Sequence, residues 1–159
     1  MVRSALTYLL LVAFALWMGG FSFYFGVVVR IGDQVIGGTE QGFITRLVSW
    51  WLNIAGLVTL GLMCLHLYFH RSWVLGLSLL GMASTHGLLM FRHSQLESLL
   101  DPERMSVLEP QRFALLHENY EFLSGCQWLA AMIYLGGLVF FLSRSASRTL
   151  QSQSPASGL

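Results

Sequence analysis

Histidine is the residue type in this chain best suited to chemistry, and its five copies fall into three groups. His86 stands alone, deep in the apolar stretch MASTHGLLMFRH (82–93). A neutral imidazole in such a place can relay a proton, ligate a metal or bind a haem iron. His93 and His117 flank an acidic segment, and Glu121 follows His117 at the four-residue spacing that shares a helix face. Two imidazoles and a carboxylate form a donor set for copper or another divalent ion, so His93, His117 and Glu121 are the candidate metal site. The same residues also suit an ordinary interfacial hydrogen-bond cluster.

His66 and His70 stand one helical turn apart. Such a pair can ligate one ion, but Arg71 and Trp73 beside it favour a pair whose polar ends reach out to the interface. A bis-histidine haem b would need two ligands at matching depth. By helical rise His66 and His86 differ by more than about 10 Å, which leaves His93 with His117 as the better-matched pair.

The elements that position these residues follow from composition. The chain has 159 residues, 55% hydrophobic and 11% charged, with mean hydropathy +0.62. A soluble domain has about 25% charged residues. Windows 4–29, 47–70, 72–91 and 122–143 carry no charge, and each reaches the roughly 20 residues a helix needs to cross a bilayer. The expectation is an all-α integral membrane bundle of four up-and-down helices, spanning about 5–29, 47–69, 72–91 and 122–143 within one domain (1–145). The first window runs on too far for a signal peptide's apolar core of about 7–15 residues, so a retained helix is expected. The Ser- and Gln-rich end, 146–159, reads as a disordered tail.

Four spans place both termini on one side, with the turn 69–73. That side carries Arg3, Arg71, Arg144 and Arg148 and no acid. All eight acids lie on the other side, in segments 30–46 and 92–121. Short acid-free segments next to spans obey the positive-inside rule, so both termini are expected in the cytoplasm of a bacterial inner-membrane protein. Segment 30–46, rich in glycine, reads as a compact surface loop. In the outer loop 92–121, Pro102 and Pro110 each mark a place where a helix can begin. Cys64 and Cys126 lie at different depths and are expected to be free thiols.

Counting six or seven residues inward from each outer charged boundary gives one polar side chain per helix: Tyr24, Asn53, His86 and Gln127, all about 9–11 Å deep. The spacing of His117, Tyr120, Ser124, Gln127, Ala131 and Tyr134 puts these on one face, and that of Ser78, Met82, His86, Leu89 and His93 on another. A shared depth lets such groups satisfy one another inside the bundle. Two roles are open for this layer: hydrogen bonds that hold helices together, or a functional site, which an ionisable residue within a span suggests by default.

The segments ALWMGGFSFYFGVVV (15–29) and RFALLHENYEFLSGCQW (112–128) carry a family likeness. The first resembles the tryptophan–glycines–aromatics–valines opening of a four-helix membrane superfamily. That superfamily includes copper resistance protein D type domains and the transmembrane-protein-205-like family of unknown function. The second is similar to the latter family's arginine-aromatic-x-x-leucine-histidine segment. The layout matches over about residues 5–143, and Trp17, Gly19, Gly20, Arg112 and His117 carry the pattern. The resemblance implies a four-helix membrane protein without a settled enzymatic activity and with a link to metal handling.

The sequence contains no nucleotide loop, no H-E-x-x-H and no nucleophile with a placed base. The leading expectation is a non-enzymatic membrane protein whose outward-facing polar pocket binds a metal ion or small solute. The alternatives are a haem-binding redox protein and a scaffold or accessory subunit docking a membrane partner through 92–121. The bilayer is the expected surrounding, and no nucleic acid is expected as a partner.

Overall fold

A computed structural model describes residues 2–153, with side chains over 3–143. Five helices build the fold: α1 (Val2–Phe23), α2 (Val29–Ile36), α3 (Gly38–His70), α4 (Trp73–Glu97) and α5 (Pro110–Gln153). Four helical runs, Arg3–Ile36, Gly38–His70, Trp73–Glu97 and Pro110–Ser143, are long and apolar enough to cross a bilayer. The chain is therefore an integral membrane four-helix bundle, as its charge-free windows predict. Leu16, Tyr8, Trp51, Leu77, Leu80, Phe122 and other large apolar side chains point outward, as lipid contact requires.

The segment 30–46 corrects the sequence reading. It is not a surface loop: α2 and the start of α3 are helical, and the chain reverses at Gly37 alone. Gly37 takes φ 94°, a conformation that costs a glycine nothing and a branched residue a great deal. Of the glycines that look like loop composition, Gly37 makes the corner, and Gly32, Gly38 and Gly42 lie in helices. Before it, Tyr24–Val28 forms a π-helical turn in which the Val29 N–H bonds the Tyr24 carbonyl. One residue is thereby added to the turn, which shifts the face that Tyr24 presents.

At the other end α3 stops at His70. Arg71 adopts the left-handed conformation with φ 35°, its N–H returns to the Leu67 carbonyl at 2.8 Å, and α4 begins two residues on. Between α4 and α5 lies a short antiparallel hairpin, β1 (Leu100–Asp101) with β2 (Ser106–Val107). Asp101 Oδ1 accepts from the backbone N–H groups of Glu103 and Arg104, so Asp101-Pro102 opens a turn rather than a helix. Pro110 does start the last helix. That helix continues through 146–153; residues 154–159 of the expected tail lie outside the described residues.

In the bundle α1 packs on α3, α3 on α4, and α4 most extensively on α5, which leaves α3 and α5 facing each other across its axis. The main core joins Leu10, Phe14, Trp17, Met63, Leu75, Met82, Ala131, Tyr134 and Leu138. A smaller cluster of Leu89, Leu96, Leu99, Leu116 and Tyr120 seats the hairpin against α5.

Candidate functional site

A small cavity opens between the helices on the side of the bundle opposite the termini. It is lined by Trp17 and Phe21 of α1, Phe25 of the π turn, Ser49 and Asn53 of α3, His86 of α4, and Tyr120 and Gln127 of α5, with Leu52 and Leu89. The room for a water molecule's centre is about 10 Å³, at the lower limit for holding one water. Behind two of the lining rings, Trp17 and His86, stands Gly56 of α3. A Cβ there would lie 2.5 Å from His86 Cε1 and 2.9 Å from Trp17 Nε1, so only glycine lets both rings settle against α3. Trp17 and His86 meet edge to face, with centroids 5.8 Å apart.

His86 is buried, and its Nε2 lies 3.1 Å from the backbone carbonyl of Asn53. A carbonyl only accepts, so Nε2 carries the proton and Nδ1 of the neutral ring is left as an acceptor. The Gln127 Oε1 meets the Thr85 hydroxyl, which also reaches the Gly81 and Met82 carbonyls. What stays open is on the nitrogen side: Asn53 Nδ2 and Gln127 Nε2 are buried without a hydrogen-bond partner, and the Ser124 hydroxyl on the same face of α5 is likewise unpaired. Each such donor costs about 1–3 kcal/mol relative to a partnered one. The pocket is therefore a set of donors facing a water-sized space, with no carboxylate or cation lining it.

Of the four residues assigned to one polar layer, Asn53, His86 and Gln127 line this cavity, and Tyr24 does not. Tyr24 donates to the Thr45 hydroxyl at 3.2 Å and accepts from Gln41 Nε2 at 3.3 Å, forming a separate cluster between the π turn and α3. Trp17 takes the α1 position at the cavity instead. Counting by depth leads to Tyr24, and depth carries no information about which way a π turn rotates a face. The same count passes over Trp17 and Ser49, which line the cavity. The signal was there on α3, where Ser49, Asn53 and Gly56 recur at four- and three-residue steps.

The set His93, His117 and Glu121 is not brought together. His93 is buried beside the Arg46–Glu97 ion pair, whose atoms are 3.6 Å apart, and its ring lies 6.4 Å from that of Tyr120. His117 and Glu121 sit on the exposed face of α5, 3.6 Å from each other, with His117 stacked on Phe113. Leu116 and Tyr120, four residues apart, take the inward face of α5 and leave His117 exposed at its margin. Among the described residues no three histidine, cysteine or acidic side chains converge as metal ligands.

His66 corrects a second reading. It does not reach out to the interface: it is fully buried, its ring 4.4 Å from that of His70, which in turn meets Phe141 edge to face. Cys64 and Cys126 are free thiols.

No protein family, curated protein or solved structure matches this chain.

Proposed function

We propose that this membrane protein binds a small polar solute in the Asn53–His86–Gln127 pocket, as a non-enzymatic carrier or sensor of that solute. The observation behind this reading is the pair of buried carboxamide nitrogens, Asn53 Nδ2 and Gln127 Nε2, that share one cavity and have no partner. Interhelical hydrogen bonds that serve only packing close on each other, because an open donor in hydrocarbon costs free energy and returns none. The two N–H donors select a ligand that presents an accepting oxygen, of the size of a carboxylate or primary amide, and the His86 Nδ1 lone pair can accept from an amide N–H. The present space suits one water, so such a ligand enters as Phe21 and Phe25, both half-buried, swing aside.

The pocket faces the extracytoplasmic side in this proposal, because Arg3 and Arg71 stand on acid-free segments at the other end. Kinship with the copper resistance protein D and transmembrane-protein-205-like superfamily belongs to the same proposal, supported by the four-span layout and by Trp17 at the pocket wall.

Formate and acetamide are the probes of choice, titrated into nanodisc-embedded protein while thermal unfolding is followed. Either probe should raise the midpoint of the native chain, and neither should move that of Asn53→Leu or Gln127→Met. No shift in the native chain with either probe, or equal shifts in the variants, would refute the assignment.

A further inference from the structure

We propose a second site, at the opposite end of the bundle: His66 and His70 chelate one divalent late first-row transition-metal ion of the zinc, nickel or copper class. The two histidines stand at the i and i+4 positions of the last turns of α3, the spacing by which a single helix presents two imidazoles to one ion. His66 is 0% exposed, yet both its ring nitrogens lack a hydrogen-bond partner, and His70 Nε2 is buried and unpaired as well. A neutral imidazole always has one N–H to give and one lone pair to fill. A ring buried without either contact is held for a ligand or is a standing cost, and hydrophobic packing alone would have favoured leucine at position 66.

The separation fits. Two imidazole nitrogens about 2.0–2.1 Å from one ion in neighbouring coordination positions put the ring centres roughly 4.5–5.5 Å apart. The rings here are 4.4 Å apart and tilted by 33°, just below that range, so a small χ rotation completes the chelate.

Electrostatics favour a cation at this end. α3 terminates at His70, and its last carbonyls carry the negative end of the helix dipole. Arg71, the adjacent cation, is exposed. His70 is half-buried next to the Arg71–Ser72 turn, which gives an ion and its remaining water ligands a route from solvent. The intervening residues are Leu67, Tyr68 and Phe69, so the sequence H-L-Y-F-H lacks the glutamate base of the hydrolytic H-E-x-x-H motif.

The test is Zn²⁺ titration of tag-free, chelator-washed protein in nanodiscs by calorimetry, with ring ¹⁵N spectra of the histidines recorded in parallel. One ion per chain should bind, shifting the ring resonances of His66 and His70 and leaving those of His86 and His117 in place. His70→Ala, at the helix end where folding is little affected, should weaken binding about a hundredfold by removing one of two linked arms. His117→Ala should leave it unchanged. Absence of Zn²⁺ binding, undiminished binding in His70→Ala, or binding lost only in His117→Ala would each overturn the proposal.

Discussion

Two buried polar clusters sit on the same half of the bundle, and they are built in opposite ways. Tyr24, Gln41 and Thr45 close on one another: the phenol donates to Thr45, and the Gln41 amide serves both hydroxyls at 3.2–3.3 Å. Asn53, His86 and Gln127 sit farther into the bundle, bond to backbone or to Thr85 on one side only, and leave two amide nitrogens without partners. Burial of polar groups is common to both, so burial alone does not distinguish packing from a site. Closure does. The first cluster has used its hydrogen bonds to fasten the π turn to α3, whereas the second keeps its donors available.

The largest effect is expected where α3 backs the rings of the open cluster. Gly56→Val places a branched side chain where a Cβ already lies 2.5 Å from His86 and 2.9 Å from Trp17. Overpacking of this kind costs about 1–3 kcal/mol and more when two rings must leave. Thermal unfolding in detergent should show a much lowered midpoint, with a red shift of tryptophan emission as Trp17 loses its seat. An unaltered midpoint would mean that Gly56 does not set the approach of α1 and α4 to α3.

Next comes the closed cluster. Gln41→Leu strips the Tyr24 and Thr45 hydroxyls of a shared donor in a buried place and should destabilise the fold by about 1–3 kcal/mol. In the open cluster the same kind of change works the other way. Gln127→Met conserves volume and removes a donor that has no partner, while the Thr85 hydroxyl released from Gln127 Oε1 keeps the Gly81 and Met82 carbonyls, so stability should hold within about 0.5 kcal/mol or rise. The smallest effect is expected on the exposed face of α5, where His117→Ala removes the 3.6 Å contact with Glu121 and a solvent-exposed stack on Phe113. Solvent screens such a pair, and its loss should change stability by less than about 0.5 kcal/mol with no effect on solute binding.

Depth was legible in the sequence and azimuth only in part. Charge-free windows give the spans, and counting inward from Arg46, Arg92 and Glu121 leads to Asn53, His86 and Gln127, which share a cavity. The same counting from Arg30 leads to Tyr24, but the π turn at Tyr24–Val28 rotates that residue toward Gln41. His66 illustrates the reverse error. Its depth and its neighbours Arg71 and Trp73 suggested an interfacial side chain, while the stripe Ser49, Asn53, Gly56, Met63, His66 along α3 runs inward throughout. The corner at Gly37 was hidden because glycine content marks a loop and a one-residue helix break equally well. The four-residue step from His93 to Glu97 is legible in the sequence, but no spacing rule shows that Arg46 joins them in place of His117, since that depends on how α3 and α4 pack.

The most direct test of the contrast between the clusters is a paired stability measurement, Gln41→Leu against Gln127→Met, by reversible unfolding of both variants under one set of detergent conditions. A loss of about 1–3 kcal/mol for Gln41→Leu, beside no loss for Gln127→Met, is the expected result. Equal losses in the two would show that Gln127 is already paid in full by packing contacts, and the solute pocket would go with it.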